Sequence, residues 1–183
     1  MLSFTTAHWV AVYTQSRAEK QVLARLEQQG FEAYLPIISV KRKWSDRIKM
    51  VEIPLFSSYL FAKIKKNELI LIRNTPGVVF VVSFENETAT ISEQEIASIR
   101  QFIANKQEIF VEETRRLKKG ASVAIIDGPF KGMTGTLIDN NKMGNFAVRI
   151  DALGLSLVTH IERLMLQPTA KPSRKKILTL SDD

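Results

Sequence analysis

The sequence predicts an α+β fold in two parts: an N-terminal α/β sandwich of helices on an antiparallel-type sheet, then a small β-barrel. Three observations carry this. Two Ser-x-x-Glu patterns, Ser16/Glu19 and Ser92/Glu95, each introduce apolar residues at helical spacing. Runs rich in β-branched and aromatic residues lie between those helices. Beyond residue 120 the helical spacing stops, and short strand-like runs follow one another between Gly, Asn and Asp turn signals.

The elements follow in order. Trp9-Val10-Ala11-Val12-Tyr13 is rich in strand formers. The Ser16/Glu19 box opens a helix whose Ala18, Val22 and Leu26 share one face, and Gly30 supplies the stop. Residues 31–40 read as extended chain, with Pro36 unsuited to a central strand. Residues 41–52 form a basic hairpin or loop that turns near Ser45 and Asp46. Residues 58–64 read as a strand, 67–72 as a short helix, Thr75-Pro76-Gly77 as a turn and 78–84 as a strand. The Ser92/Glu95 box then opens a helix carrying Ile96, Ile99 and Ile103. This β-α-β-β-α-β-α order makes one sandwich over residues 1–106. Residues 107–118, charged and without periodicity, read as a linker. Five strand-like runs at 121–126, 133–138, 145–150, 155–159 and 162–166 make a barrel over 119–168. Residues 169–183 read as a basic, disordered tail.

Bulk composition narrows the function. Of 183 residues 45% are hydrophobic, which suits a folded chain. No apolar run approaches the roughly 20 residues that span a bilayer, and no signal peptide is visible, so no membrane role is expected. The chain has no cysteine, which excludes disulfides and thiolate chemistry and suits the cytoplasm. A net charge of +7, concentrated at Lys41, Arg42, Lys43, Arg47 and Lys49 and again at Arg174, Lys175 and Lys176, favours a polyanionic partner. His8 and His160 fall in different predicted domains without a third ligand, so no metal is expected. The Gly128 to Gly135 stretch imitates a phosphate loop, but its lysine precedes its glycine and a strand follows in place of a helix. No nucleophile elbow or zinc-protease helix occurs. Neither an enzyme nor a cofactor is expected.

Two segments carry a resemblance. Residues 119–138, with Asp127-Gly128-Pro129-Phe130, Gly132 and Gly135, resemble a KOW motif, the core of a small SH3-like barrel found in ribosomal proteins and elongation factors. The N-terminal half separates these. Trp9 to Tyr13, Arg17 to Val22, Ile53-Pro54-Leu55-Phe56-Ser57-Ser58-Tyr59-Leu60-Phe61, Arg73 to Val78 and the helix after Ser92 resemble, in order, the N-terminal (NGN) domain of NusG-type transcription elongation factors. The likeness covers residues 8–168. Glu32-Ala33-Tyr34-Leu35-Pro36, Lys43-Trp44-Ser45-Asp46-Arg47 and Pro54 to Tyr59 look most like the specialised UpxY and RfaH groups, antiterminators of long operons; UpxY-type members act on polysaccharide operons. A general NusG factor and a ribosome-associated KOW protein stay open as alternatives.

The resemblance implies a set of sites. Family members grip the clamp helices of RNA polymerase with an apolar depression, here Val12, Pro54, Phe56, Tyr59 and Phe61. Strand alternation puts Tyr59 and Phe61 on one face and Leu60 on the other. One face must pack helices, so one or two of Val12, Phe56, Tyr59 and Phe61 are expected to be core only. Asn74 and Thr75 match a loop that touches the far side of the polymerase cleft in some members. Arg17, Lys20, Arg25, Lys41, Arg42, Lys43, Trp44 and Arg47 are expected to face the non-template DNA strand or upstream duplex, with cations on phosphates and Trp44 stacking on a base. A solvated charged surface is the competing reading, strongest for Lys20 and Lys49. Phe130 is either a lid on the barrel core or a contact for a ribosomal protein or termination factor. A monomer is expected.

Overall fold

The computed structural model describes residues 2–3, 5–44, 47–105, 108–117, 120–138 and 143–169. The first domain contains β1 (His8–Thr14), α1 (Glu19–Gln28), β2 (Glu32–Tyr34), β3 (Ile37–Lys43), β4 (Ile48–Pro54), β5 (Tyr59–Ile64), α2 (Leu69–Asn74), β6 (Val78–Val81), β7 (Ser83–Phe84), β8 (Glu87–Thr88), β9 (Thr90–Ile91) and α3 (Glu93–Ala104). Its main sheet runs β2-β5-β1-β6, with β9 also pairing β1, and all pairs are antiparallel. β3 and β4 form a separate hairpin, as do β7 and β8.

Both faces of this sheet are covered, which explains why the first strand alternates poorly in sequence. Trp9, Ala11 and Phe61 join a core with Ile96, Ile99 and Phe102 of α3. Val10, Val12, Leu60, Ala62 and Ile64 join a second core with Val22 and Leu26 of α1 and Ile72 of α2. Gly30 ends α1 at φ 84, with Gly30 N–H donating to Glu27 and Phe31 N–H to Leu26. That pair of bonds is a Schellman termination.

The second domain is a six-stranded antiparallel sheet, order β10-β14-β13-β12-β11-β15. Its strands are β10 (Phe110–Glu113), β11 (Ala121–Ile125), β12 (Thr134–Leu137), β13 (Met143–Ile150), β14 (Leu155–Glu162) and β15 (Leu166–Pro168). The fold class is therefore the expected α+β pair of sandwich and β domain. No described helix is long and apolar enough to cross a membrane.

Several local expectations are corrected. Ser16 does not cap α1: Ala18 holds the cap position, and Glu19 turns inward, its Oε1 accepting the Ser58 N–H at 2.8 Å. Satisfying a buried backbone donor outweighs a surface capping box here. The strand expected over 78–84 breaks at Val82, because a two-residue turn at Glu85 and Asn86, both with positive φ, folds β7 back on β8. The stretch read as a linker contains β10, paired to β14, so the barrel begins earlier than its glycine signals suggest. Residues 163–165 form a 3-10 turn in place of the strand expected there, and pairing resumes at β15. Thr169, assigned to the tail, donates its N–H to Ser122. The rest of the tail and the Ser45–Asp46 turn lie outside the described residues.

Candidate polymerase and nucleic-acid interfaces

The sandwich presents an aromatic ledge. Register places Tyr13 of β1 opposite Tyr59 of β5 on one side and Phe80 of β6 on the other, so the three rings form one row across three strands. Tyr13 and Phe80 stack at 4.7 Å with an 18° interplanar angle, and Tyr59 meets Tyr13 edge-on at 5.0 Å. By strand parity the row lies on the same face as Trp9 and Ala11, beyond the part that α3 covers. Phe80 is 45% exposed, and Tyr13 and Tyr59 are half-buried. Burial lifts the Tyr59 phenol above its ordinary value and Tyr13 adds to this, so the hydroxyl stays neutral.

The residues expected in the apolar depression divide between this ledge and the core. Of the residues expected there, Tyr59 stands in the ledge, and half-buried Pro54 ends β4. Phe61 is fully buried beneath α3, and Phe56, 2% exposed, packs edge-on against it at 5.9 Å. Val12 is buried in the second core, on the opposite side of the sheet from Tyr59, because it falls on the other parity of β1. Three of the four residues expected at the grip are thus core, one more than expected at most. Thr75 is also buried: its hydroxyl donates to the Leu71 carbonyl and bonds Gln29 Oε1, closing the end of α2. Asn74 beside it is exposed. Tyr13 and Phe80, which complete the ledge beside Tyr59, were not among the residues expected there. Their partnership depends on strand register, which side-chain spacing alone does not reveal.

The basic hairpin sorts its side chains by face. Arg42 pairs with Lys49 and Lys43 with Ile48, and Trp44 N–H donates to Arg47 at 2.8 Å, extending the ladder by one pair. Arg42, Trp44, Arg47 and Lys49 therefore share one face, while Lys41, Lys43, Ile48 and Met50 share the other. Trp44 is 55% exposed. The remaining cations divide. Arg17 is exposed, at φ 63. Lys20 pairs with Glu52 at 3.8 Å and so ties α1 to the hairpin base. Arg25 is half-buried and donates to the Pro76 carbonyl at 2.6 Å, a structural bond that ties α1 to the turn after α2 on the same side of the sheet.

Phe130 is buried, and its contact is within the chain. Its ring lies 5.0 Å from that of Phe102 on α3. Gln101 and Asn105 both donate to the Pro129 carbonyl. At the other end of α3, Glu95 accepts the Ser92 N–H through Oε2, completing the predicted capping box, and the barrel's Asp151 N–H through Oε1. The KOW loop and the turn at Asp151 thus dock the barrel along α3.

Among the described residues no cluster of His, Asp or Glu is placed to hold a metal. An aromatic ledge, a cationic hairpin and a docked β-domain, with no metal cluster among the described residues, are features of a binding protein. Comparison with known proteins names the family. Residues 7–100 match the family model described as transcription termination factor nusG. The transcription termination/antitermination protein NusG of Rickettsia felis is 30% identical over 150 residues, 73% of this chain and 76% of that protein. The Streptococcus pyogenes serotype M1 protein of the same name is 28% identical over 178 residues, 88% of this chain and 96% of that protein. The chain belongs to the NusG family, whose members are non-enzymatic transcription factors that interact with RNA polymerase. A solved structure titled "Domain interaction in Thermotoga maritima NusG" shares the fold, with a TM-score of 0.52 at 21% identity, covering 92% of this chain and all of that one.

Proposed function

We propose that this chain rides on RNA polymerase during elongation, grips the clamp helices through Tyr13, Tyr59 and Phe80, and suppresses pausing and termination on particular long operons. The aromatic ledge carries this reading. Three adjacent rings present much apolar area at low rotamer cost, the chemistry of an interface anchor for an amphipathic helix. Half-buried Pro54 and exposed Asn74, which the resemblance also assigns to polymerase contact, keep accessible surface.

The hairpin is read as the nucleic-acid contact. Arg42, Trp44, Arg47 and Lys49 on one face combine phosphate neutralisation with a stacking surface, which suits an exposed non-template strand. Arg17, Lys41 and Lys43 extend the positive field, whereas Arg25 and Lys20 have structural partners that weaken their claim. Phe130 is read as a partner contact for a ribosomal protein or termination factor once the barrel leaves α3. The operon-specific reading rests on the UpxY-like segments at 32–36, 43–47 and 54–59. The naming of the curated relatives favours a general NusG factor instead. Occupancy mapping across transcribed genes decides between them. Signal confined to one or a few long operons supports the specialist, and signal on most transcribed genes contradicts it. In either case, adding the purified chain to a transcribing polymerase should shorten its pauses. Unchanged pause lifetimes would overturn the elongation reading.

A further inference from the structure

α1 lies behind the sheet from the ledge, yet two of its side chains end on the turns that lead into the ledge strands. Its Val22 and Leu26 pack with Val10, Val12 and Leu60, whereas the row of Tyr59, Tyr13 and Phe80 stands on the other face. Glu19 is buried, and its Oε1 accepts the Ser58 N–H at 2.8 Å. Ser58 immediately precedes Tyr59 and has φ 63. That left-handed region is uncommon for a residue with a Cβ, and it persists only where the surroundings over-determine it. Here they do. The Ser58 carbonyl accepts the N–H of buried Thr14 at 2.8 Å, and the Tyr59 N–H closes the turn on the Phe56 carbonyl at 3.1 Å. In the last turn of α1, Arg25 donates to the Pro76 carbonyl at 2.6 Å. Gly77 follows at φ 93, so close to α1 that an added Cβ would stand 2.8 Å from Val22 Cγ2. Its carbonyl accepts the Gln15 N–H at 2.9 Å, which ties the end of β1 to the start of β6.

We infer that Glu19 and Arg25 are positioning residues for the aromatic ledge, fixing Tyr59 and Phe80 from behind the sheet. This rests on the polymerase reading above and names what holds its contact surface in shape. Tyr13 meets Phe80 on one side and Tyr59 on the other, so a shift of either turn disturbs the whole row. Glu19 sets the turn that delivers Tyr59. Arg25 sets the turn that delivers β6 and with it Phe80. Rings held in place before binding lose less freedom when a partner lands, and a contact surface whose supports are loose loses affinity although every ring is still present. Arg25 thus serves the ledge through its bond to Pro76.

The chain has three tyrosines, Tyr13, Tyr34 and Tyr59. Labelling with 3-fluorotyrosine therefore reports both ledge tyrosines by fluorine resonance, with Tyr34, which stacks on Phe61, as the internal control. Binding of the full chain to purified core polymerase is measured without nucleic acid, so that loss of a phosphate contact cannot enter. Glu19→Leu should move the Tyr59 and Tyr13 resonances, leave Tyr34 in place and weaken binding by at least ~10-fold. Glu19→Gln, whose amide oxygen can still accept from Ser58, should recover most of that loss. Circular dichroism checks folding, and Glu19→Asp, one methylene short of Ser58, is the second variant. In a Tyr59→Ala background, Glu19→Leu should cost less than about twofold, because its effect passes through that ring. Arg25→Met should weaken binding in the native chain and add equally little to Phe80→Ala. Native resonances in folded Glu19→Leu and Glu19→Asp chains overturn the inference, as does a binding loss that is equally large without the Tyr59 ring. If the resonances move while affinity does not, or if the native chain does not bind, the polymerase reading fails and the positioning stands.

Discussion

Replacing Phe102 and Phe130 by leucine, singly and together, asks whether the two domains are energetically joined. The rings lie 5.0 Å apart at 43° and are both buried, one on α3 and one in the barrel loop. Leucine keeps much of the apolar volume and removes the ring pairing. Such pairs contribute about 0.5–1.5 kcal/mol beyond area burial, so the double-mutant cycle should return a coupling near 1 kcal/mol. Both tryptophans, Trp9 and Trp44, are in the first domain, so fluorescence during urea unfolding reports that domain alone. With a slope of about 2 kcal/mol per molar, Phe130→Leu in the barrel should lower the fluorescence midpoint by ~0.5 M. Additivity within about 0.3 kcal/mol, with an unmoved fluorescence midpoint, would refute the docked arrangement.

Two further outcomes follow from local geometry. A Cβ on Gly120 would fall 1.7 Å from the Leu137 carbonyl oxygen, so Gly120→Ala should destabilise the barrel by about 1–3 kcal/mol through overpacking; a calorimetric melt within error of the native one would contradict this. Glu93 is held below its ordinary value first by its hydrogen bond from Lys63 Nζ at 2.7 Å and then by that from the Trp9 indole at 3.0 Å. A depressed carboxyl contributes stability above its unfolded value and loses it as pH falls through the folded one. Glu93→Gln should therefore flatten the acid limb of the stability–pH curve below about pH 5, and an unchanged limb would show that the ion pair contributes nothing.

Much of the fold was legible because its signals are local. The Ser92/Glu95 box, the Gly30 stop and the hairpin over 41–52 each depend on residues a few positions apart. The Ser16/Glu19 box failed because Glu19 answers to Ser58, on a strand reached only through tertiary packing. β10 was hidden because its charged, weakly alternating sequence becomes a strand only beside β14. The site was less legible for the same reason. Motif likeness pointed to Phe56, Phe61 and Val12, but alternation and helix cover bury them. Tyr13 and Phe80 become neighbours of Tyr59 only through register. Phe130 was read as a lid on the barrel core or a contact for an outside partner; it is buried with the barrel's Val123, Ile125 and Phe146, and its pairing with Phe102 on α3 had no local signal.

The most direct test of the central claim is the affinity of the purified chain for core RNA polymerase with Tyr13→Ala and Phe80→Ala combined. Neither ring is part of a buried core, so folding should persist by circular dichroism. Interface anchors of this kind contribute about 2 kcal/mol or more each, and the pair, about 4 kcal/mol together, should weaken binding by roughly 1,000-fold. A folded double variant that binds within about threefold of the native chain, a difference under 1 kcal/mol, would contradict the account.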